Sequence, residues 1–584
     1  MIKMIVVDVG STTTKALFFE QTANVWRYRE RGEAATTVEA PNEDVMIGVL
    51  QAITVLEERM NLKLIEQDGS ILIDGFLATS SAGGGLQIVV CGNVGQLSAE
   101  SARRAALGGG AVLLNVFSSD DGQTLFQRLD KLRTLRPDMI LISGGIDGAS
   151  MVNFVVEMCD FIRTGKPKPK FGTTNTLPII YAGASSGIPI VKDLLGEGFE
   201  VRIVDNLRPS FAKENLDPTR NAIHELFIEH VMANAPGYTQ LLKSVTLPIL
   251  PTPTAVGEIL TKYSVKRKLN LLCVDIGGAT TDIFTVVNGN FVRSVSANYG
   301  MSYSIGNVVA TAGGDNILRW LPENQRAKGI ADLLNRLGNK LLNPISIPAT
   351  LDDLRAEQAT AREAMRLSLD DHLAIAKIQK GVDIFTPNLL QKNASIAVEM
   401  IDLIIGSGGV LSNAPRRGEA AVMLLDAFQP VGQTELMVDS VFMLPHLGAF
   451  ARMDEQSALR VLEEDCLVSL GTALTPQGNV QAGSLGIKIS GITSNGKPIA
   501  GEATGGSLVS LPLGKDETAD ITISTHNGAH WPGSNRVTVR GGVVGLILDL
   551  RGRPLNVDTD KKTGYAMEWL EQLCHSEEED KQNV

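Results

Sequence analysis

The sequence contains few cysteines, and none of them lie close together. They are Cys91, Cys159, Cys273, Cys466 and Cys574. Iron–sulfur clusters, structural zinc sites and catalytic disulfides usually need clustered thiols such as a CxxC pair. The spacing therefore argues against all three kinds of site. It predicts inert, buried thiols in a reducing compartment.

The chain also lacks an excess of positive charge and a long uncharged apolar run. It has 53 Lys and Arg against 65 Asp and Glu, a net charge of −12, which argues against a general nucleic-acid or anionic-membrane surface. The longest apolar stretch, residues 394–411, contains Glu399, Asp402 and several glycines, so it predicts part of a core rather than a membrane span. The first residues predict a strand and not a secretion signal. We therefore expect a cytoplasmic protein without nucleic-acid or membrane partners.

The chain is long and rich in glycine. With 584 residues, 58 of them glycine, it is too long for one core, and several of its turns must approach something closely. Alternating apolar runs and helical patterns predict an α/β protein whose residues 136–209 form βαβ units around a parallel sheet. The proline-rich residues 248–256 predict a joint. From Cys466 onward, period-two alternation with NG and PG turns predicts an all-β domain that ends in an acidic tail.

Two stretches share one pattern, MIVVDVGSTTTK at residues 4–15 and LLCVDIGGATTD at residues 271–282. In each, an apolar strand ends in an aspartate, glycine follows two positions later, and hydroxyl residues come next. Glycine lets the backbone approach a phosphate, to which N–H groups and hydroxyls can donate, and one or two carboxylates suffice for a hydrated Mg²⁺. The repeat predicts phosphate binding at both loops, with purely structural turns as the alternative. A third glycine turn, IIGSGGV at 404–410, suits the close approach of an adenosine.

In this order the three motifs resemble those of the actin, heat-shock chaperone and sugar-kinase superfamily. The resemblance implies a duplicated actin-like ATPase core of two ribonuclease H-like halves, with an α/β insertion and a C-terminal all-β domain. We place the four regions at residues 1–120, 121–265, 266–465 and 466–584. The resemblance implies ATP or ADP and Mg²⁺ as ligands, and it assigns Asp8, Gly10, Ser11, Thr12 and Thr13 to the first phosphate loop, Asp275, Gly277, Gly278, Thr280, Thr281 and Asp282 to the second, and Gly406, Gly408 and Gly409 to the adenosine turn. Asp8 and Asp275 would hold the metal and, with Thr280, take part in hydrolysis.

Further stretches are similar to the glutamate mutase accessory family, which is called MutL in that context and is unrelated to mismatch repair. They include AESARRAALGGGA at 99–111, PDMILISGGIDG at 137–148 and LPTPTAV at 250–256. The likeness covers roughly residues 1–450 and departs from the family pattern near residues 296–307. It implies an ATPase that serves as a reactivating chaperone, with a subunit of an adenosylcobalamin-dependent carbon-skeleton mutase as its partner.

Two other functions stay open at this point. A small-molecule kinase would need a carboxylate base beside an acceptor pocket, and no residue identifies one. A nucleotide-gated scaffold would bind ATP without hydrolysing it. Separately, ISGGIDG at 142–148 could bind a phosphate or a cobalamin tail, or it could be a βα turn capped by Asp147. The oligomeric state is left open.

Overall fold

The computed structural model describes residues 2–10, 13–38, 42–81, 86–109, 111–148, 153–169, 176–210, 213–227, 229, 237–296, 298–376, 398–555, 557 and 569–573. The chain divides into two compact units. Unit 1 comprises Met1–Tyr263, Ile375–Ser395 and Met443–Asp465. Unit 2 comprises Ser264–Ala374, Ile396–Phe442 and Cys466–Val584.

The strands follow one another along both units. In chain order they are β1 (Ile2–Val9), β2 (Thr13–Thr22), β3 (Val25–Ala35), β4 (Gly75–Ser80), β5 (Gln87–Gly92), β6 (Val112–Ser118), β7 (Met139–Ser143), β8 (Leu177–Tyr181), β9 (Phe199–Ile203), β10 (Leu250–Pro251), β11 (Leu271–Ile276), β12 (Thr281–Val287), β13 (Asn290–Ser296), β14 (Leu403–Ser407), β15 (Gly432–Asp439), β16 (Leu467–Thr475), β17 (Leu485–Thr493), β18 (Pro498–Thr504), β19 (Leu508–Leu511), β20 (Thr518–Thr525), β21 (Arg536–Arg540) and β22 (Gly545–Asp549).

The helices lie between these strands. In chain order they are α1 (Val45–Met60), α2 (Glu100–Gly108), α3 (Leu125–Leu135), α4 (Asn153–Gly165), α5 (Ile188–Leu195), α6 (Asp217–Leu226), α7 (Tyr238–Ser244), α8 (Thr252–Arg267), α9 (Ile305–Ala312), α10 (Gly314–Leu318), α11 (Glu323–Arg326), α12 (Gly329–Leu342), α13 (Leu351–Ala376), α14 (Gly409–Ser412), α15 (Arg417–Phe428), α16 (Leu444–Ala451) and α17 (Glu455–Val461).

The first sheet of unit 1 has the order β10-β4-β1-β2-β3. Strands β1, β2 and β3 are antiparallel, whereas β4 runs parallel to β1 and β10 runs parallel to β4. At the amino end of β4, Asp74 accepts the Lys3 N–H at 2.7 Å and donates its own N–H to the Lys3 carbonyl at 3.1 Å. Helix α1 covers one face of this sheet and begins at Asp44, whose Oδ1 accepts the Met46 N–H at 2.9 Å, as expected of an N-cap residue.

The second sheet of unit 1 is parallel throughout, in the order β6-β5-β7-β8-β9. This confirms the parallel βαβ sheet that the apolar runs predict for residues 136–209. Residues of α2 and α6 share a core with Met139 and Leu141, whereas residues of α3, α4 and α5 share a core with Ile140 and Ile142. Because successive strand residues point to opposite faces, α2 and α6 cover one face of the sheet and the other three helices cover the opposite face.

The larger sheet of unit 2 is mixed, in the order β13-β12-β11-β14-β15-β16-β22-β19. Its first five strands repeat the pairing of the first sheet of unit 1: β11, β12 and β13 are antiparallel, and β14 and β15 continue in parallel from β11. The bond at the amino end also recurs, since Asp402 accepts the Asn270 N–H at 2.8 Å and donates its own N–H to the Asn270 carbonyl at 2.9 Å. The protein therefore has an α/β fold with mixed sheets.

Strands from both sides of residue 466 share this sheet. Strand β16 pairs antiparallel with β15, β22 pairs with β16, and β19 pairs with β22. The sequence predicts a separate all-β domain here, but only β18, β17, β20 and β21 form a sheet of their own. Residues 569–573 are helical, and Trp569 and Leu573 belong to the same core as Val274 of β11. The four predicted domain boundaries stay predictions.

Candidate functional site

The first glycine turn joins β1 to β2 in unit 1. The Gly10 N–H donates to the Thr13 carbonyl at 3.1 Å, and a Cβ added at Gly10 would lie 2.7 Å from that oxygen. Real Cβ atoms essentially never come this close to backbone, so this turn requires glycine. Ser11 and Thr12, both predicted to contact phosphate, lie outside the described residues.

Asp8, the residue before the last of β1, is buried, and its Oδ1 accepts two hydroxyl hydrogen bonds. Thr79 of β4, directly opposite Asp8 in the register, donates at 2.7 Å, and Thr252, the first residue of α8, donates at 2.6 Å. Hydrogen bonds from two hydroxyls stabilise the charged carboxylate and fix its orientation. The carboxyl ends of β1, β4 and β10 therefore meet at this one side chain.

Sequence reasoning missed both threonines. Thr79 is hidden in an apolar run, and Thr252 lies in the stretch interpreted as a proline-rich joint. That interpretation was wrong, because Leu250–Pro251 form β10 and α8 begins at Thr252. Pro253 lies in the first turn of this helix, where a missing N–H costs no hydrogen bond. A threonine just before such a proline is the signal that indicates a helix start.

The hydroxyls of two threonines, Thr14 and Thr36, stabilise the first turn. Thr36 Oγ1 donates to the Gly10 carbonyl at 2.8 Å and lies 3.0 Å from Thr14 Oγ1. Thr14 is fully buried. The Thr14 hydroxyl therefore supports the turn from inside the sheet and is not free to contact a ligand.

The second glycine turn, between β11 and β12 in unit 2, closes in the same way. The Gly277 N–H donates to the Thr280 carbonyl at 2.9 Å, and a Cβ at Gly277 would lie 3.1 Å from that oxygen. Asp275 pairs with Asp282 across the hairpin and with Ser407 of the neighbouring parallel strand β14. Asp275 is half-buried, and Gly278 is exposed at the tip of the turn.

A short segment of chain holds this second turn by its backbone. The N–H groups of Met301 and Ser302 donate to the carbonyls of Gly277 and Gly278, each at 2.9 Å. The approach is close: a Cβ at Gly300 would lie 2.4 Å from the Gly278 carbonyl oxygen. Thr281 Oγ1 also donates to the Tyr299 carbonyl. Residues 299–302, part of the stretch 296–307 that the sequence singles out, thus hold the second turn in place.

Asp282, predicted to contact the nucleotide, is paired with a buried arginine. Arg293 of β13 donates from Nη2 and Nε to Asp282 Oδ1, at 2.6 and 2.9 Å, and its guanidinium lies 5.8 Å from the centre of the Phe284 ring. Arg293 is almost fully buried. The described contact of Asp282 is therefore an ion pair between β12 and the next strand, β13.

The predicted adenosine turn lies directly against the second phosphate loop. Gly408 has a φ of +103°, and a Cβ there would lie 2.2 Å from the Ile276 carbonyl oxygen, so no other residue fits without a shift of backbone. Gly406 is part of β14, where a Cβ would lie 2.9 Å from Leu411 Cδ1. Gly409 begins α14 and faces open space. Unit 2 thus brings together the second loop and the adenosine turn at one sheet edge.

A third carboxylate reaches this edge and was missed by sequence reasoning. Asp439, the last residue of β15, is fully buried, and its Oδ1 accepts the Val441 N–H at 3.1 Å and the Cys466 thiol at 3.3 Å. Burial, with the nearby charges of Asp275, Asp439 and Asp282, raises the pKa of the Cys273 thiol well above its usual value. This edge is therefore acidic, which suits a cation more than a bare anion.

The donor set fits the expected ligands. Within the described ranges, no three His, Cys, Asp or Glu side chains are grouped to hold a metal ion by themselves. Mg²⁺ does not need such a group, because it keeps several waters and is bound through one or two carboxylates together with phosphate oxygens. Asp8 and Asp275 each supply a carboxylate beside a glycine turn. No helix among the described residues has the length and apolarity needed to cross a membrane.

The described cysteines are all buried thiols. Cys91, Cys159, Cys273 and Cys466 form no disulfide bond, and Cys574 lies outside the described residues. Burial raises the pKa of both Cys91 and Cys159 to about 12. These thiols therefore stay protonated at neutral pH, as the prediction of inert cysteines requires.

Comparison with known proteins relates this chain to one family and to several solved structures. A model of the MutL protein family matches residues 4–466. The protein MutL of Clostridium tetanomorphum is 26% identical over an alignment of 495 residues, and the match covers 79% of this chain and 98% of that protein. Among solved structures, nucleotide-free acetone carboxylase matches with a TM-score of 0.33 and 11% identity, over 85% of this chain and 80% of that one. A diol dehydratase-reactivating factor matches with a TM-score of 0.31 and 9% identity, over 78% of this chain and 100% of that one. TM-scores of this size support no inference about the chain.

The family match agrees with the resemblance that the sequence motifs carry. It includes both glycine turns, the adenosine turn and the inserted parallel sheet. Since the model matches residues 4–466 of 584, well over half of the sequence, this chain belongs to the MutL family.

Proposed function

We propose that this chain is an Mg²⁺- and ATP-dependent ATPase that acts as a reactivating chaperone of an adenosylcobalamin-dependent carbon-skeleton mutase, of which glutamate mutase is the model. The proposal includes a duplicated actin-like core, slow hydrolysis coupled to the partner, and a cytoplasmic location. Membership of the MutL family supports the partner, and the repeated strand–turn–strand arrangement supports the nucleotide.

One observation carries the nucleotide assignment. Two hairpins in different parts of the chain close by the same bond, from Gly10 N–H to the Thr13 carbonyl and from Gly277 N–H to the Thr280 carbonyl, at 3.1 and 2.9 Å. Each follows a strand with an aspartate two residues before the glycine. A single turn of this kind is common in proteins. Two with the same flanking acid are better explained by a ligand that needs both.

In this proposal each group of residues binds a different part of the Mg–ATP complex. The bound Mg²⁺ would neutralise phosphate charge, and Asp8 and Asp275 would hold its water shell. Backbone N–H groups and hydroxyls of the two turns would donate to phosphate oxygens, and the glycine turn at Gly406, Gly408 and Gly409 would accept the adenosine. Thr280 would orient the attacking water. Placement and charge stabilisation supply most of the rate enhancement in phosphoryl transfer.

Loss of the γ-phosphate would then change the shape of the protein. In nucleotide-driven proteins, segments ordered by contacts to the γ-phosphate are released on hydrolysis. The second turn is tied by backbone bonds to residues 299–302, so a shift of Gly278 would move this segment directly. We infer that it is the first part of unit 2 to respond, and that the response weakens or strengthens the hold on the mutase.

The test is a tagged purification from the native cell in buffer with ATP or with ADP, followed by identification of bound proteins by mass spectrometry. The expected result is a cobalamin-dependent mutase subunit held in one nucleotide state and released in the other. A mutase subunit bound equally in both states, or none at all, contradicts the chaperone role. In that case, ADP release that depends on a small-molecule acceptor would identify a kinase, and ATP binding without turnover would identify a scaffold.

A further inference from the structure

The inserted parallel sheet of unit 1 has features of a ligand site that the proposed ATPase does not use. Its strand order, β6-β5-β7-β8-β9, is the doubly wound order in which the first strand lies between the second and the third. In such sheets ligands bind beyond the carboxyl ends of the strands, where the chain leaves for opposite faces from two neighbouring strands. Here those strands are β5, which leads to α2 on one face, and β7, which leads to α4 on the other.

A buried hydroxyl at this point has no hydrogen-bond partner. Ser143 is the last residue of β7 and pairs with Gly92, the last residue of β5. It is 1% exposed, and its Oγ makes no hydrogen bond within the part of the chain that the structure describes. Leaving a buried hydroxyl unsatisfied costs free energy, so such groups nearly always have a hydrogen-bond partner, and a bound ligand is one that could satisfy Ser143.

The loop that follows Ser143 is connected through Asn206 to Arg208, one of the two buried arginines Arg104 and Arg208. Asn206 donates from Nδ2 to the Gly145 carbonyl at 3.2 Å and to Asp147 Oδ1 at 3.1 Å, and its own Oδ1 accepts the Arg208 N–H at 3.0 Å. The carboxylate of Asp147 is thus turned toward Asn206. This contact gives Asp147 a structural role in the loop, and the cap that the sequence predicts for it stays a prediction.

The two buried arginines, Arg104 and Arg208, lie among carboxylates, and one of them keeps unused donors. Arg208 donates to Ser101 Oγ at 3.0 Å and to Glu214 Oε1 at 2.7 Å, and Arg104 of α2 bonds the same Glu214 oxygen. Arg104 is 3% exposed, yet its Nε and Nη1 have no hydrogen-bond partner among the described residues. Glu100 Oε1 also lies 3.8 Å from Arg104 Nη1, and burial raises the pKa of the Glu100 carboxyl. Arg104 and Arg208 therefore face the carboxylates of Glu100 and Glu214, and the unbonded N–H groups of Arg104 are the donors that a bound anion would use.

Gly148 leaves room for a ligand beside the backbone of this loop, whereas Gly144 and Gly145 are packed against Phe154 and Ala184. Gly145 and Gly148 have φ values of +78° and +84°, and a Cβ at Gly148 would meet nothing within 4 Å. Turns of this kind present backbone N–H groups to anions. We propose that the edge between Gly92 and the loop Ser143–Gly148 binds a phosphate group of a small molecule, with Ser143 Oγ–H as one donor and the guanidinium of Arg104 as the compensating charge.

The experiment is equilibrium dialysis of the full-length protein with radiolabelled inorganic phosphate. The wild type is expected to bind phosphate, and Ser143→Ala is expected to weaken binding about tenfold, because it removes a hydrogen bond to a charged group. The matched control is Ser185→Ala, an exposed serine after the neighbouring strand β8, which should change nothing. Asp275→Asn should also leave this phosphate bound, since that residue belongs to the proposed nucleotide site.

A second variant tests the charge of the ligand without removing a group from the core. Asn93 is half-exposed and lies just after β5. Asn93→Asp adds a negative charge there with little change in side-chain size, and it should weaken phosphate binding at neutral pH more than Ser143→Ala does. Equal binding in Ser143→Ala and wild type overturns the proposal, as does a phosphate signal lost in Asp275→Asn but kept in Ser143→Ala. Displacement of phosphate by equimolar succinate would show a carboxylate site and would also overturn it. An unchanged thermal midpoint in each variant shows that the fold is retained.

Discussion

The two glycine hairpins close by the same bond but are held in different ways. In unit 1, the acid is fixed: Asp8 is buried, and threonine hydroxyls from β4 and α8 donate to its Oδ1. In unit 2, the backbone is fixed: Gly277 and Gly278 accept N–H groups from residues 301 and 302. The first hairpin therefore presents an oriented carboxylate, and the second presents an exposed tip whose backbone is bonded to a neighbouring segment. Under the proposed function, the first turn would serve positioning and the second would serve the response to hydrolysis.

The largest expected effect comes from the two acids themselves. Asp275→Asn should abolish ATP turnover and Asp8→Asn should lower it by a factor of about 10² or more, because each removes charge stabilisation at the phosphates. The measurement is steady-state release of phosphate from ATP, with circular dichroism to verify the fold.

The same sheets offer a matched control for each acid. Asp74 and Asp402 lie at the opposite, amino ends of β4 and β14, and both are exposed and bonded to the start of the neighbouring strand. Asp74→Asn and Asp402→Asn should leave turnover within about twofold. Turnover that survives Asp275→Asn, or that is lost equally in the amino-end controls, would disprove the role assigned to the acids.

The two turn glycines should differ in how well they tolerate a methyl group. A Cβ at Gly10 would lie 2.7 Å from the Thr13 carbonyl oxygen, whereas one at Gly277 would lie 3.1 Å from the Thr280 oxygen. Overpacking against backbone costs about 1–3 kcal/mol, so Gly10→Ala should lower the free energy of unfolding by that amount. Gly277→Ala should come near zero, because a smaller strain is offset by the lower entropy of the unfolded chain. Urea unfolding measures both.

Gly306→Ala is the reference for this pair, since Gly306 lies in α9 with nothing within 4 Å of an added Cβ. Alanine should stabilise this helix by up to about 1 kcal/mol. If Gly277→Ala proves as costly as Gly10→Ala, the two turns are equally tight and the contrast between them fails.

The two hairpins should also differ in how much stability they lose at acid pH. The first is packed by aromatic rings, with Phe19 and Trp26 at 5.7 and 5.4 Å from the ring of Phe450. The second is packed on His372, whose ring nitrogens lie 2.9 Å from Thr285 Oγ1 and 2.8 Å from Ser294 Oγ. Burial lowers the pKa of His372 from 6.5 to about 3.

The sign of the pH effect follows from that shift. Above pH 6.5 the imidazole is neutral in both the folded and the unfolded state, so stability is at its full value. As the pH falls from 6.5 toward 3, the unfolded chain takes up a proton that folded His372 refuses, and stability is lost by up to about 1.4 kcal/mol per pH unit. Hydrogen exchange between pH 7 and 5, corrected for intrinsic rates, should therefore show β12 and β13 opening more than β2 and β3. In His372→Gln this difference should disappear, and its persistence there would rule out His372 as the cause.

The sequence predicts the local features of the site and fails on the distant ones. The strand-ending acids, the glycine turns and the parallel inserted sheet follow from patterns of a few residues, and the structure has glycine turns in both hairpins where the patterns place them. Thr252, Asp439 and the segment 299–302 act through contacts with other elements; the Thr252–Pro253 pair indicates a helix start, but no local pattern indicates any of these contacts. The same holds for β16, whose alternation predicts a strand but not that it would pair with β15. Asp282 and Thr14 show the opposite error: both have the residue type that the motif requires, but their described contacts stabilise the protein and not a ligand.

The smallest expected effect tests whether the first carboxylate needs its hydroxyl partners. Thr79→Val and Thr252→Val each remove one hydrogen bond to Asp8 Oδ1, which is worth about 1 kcal/mol or about fivefold in an equilibrium constant. Each should raise the KM for Mg–ATP by about that factor and leave kcat nearly unchanged, because the carboxylate stays present but is less well oriented. Thr261→Val, in the same helix as Thr252, removes only a bond to the Gly257 carbonyl and should have no effect. If both threonine variants keep the wild-type KM, then Asp8 is positioned by β1 alone, and the distinction between a fixed acid in unit 1 and a fixed backbone in unit 2 does not hold.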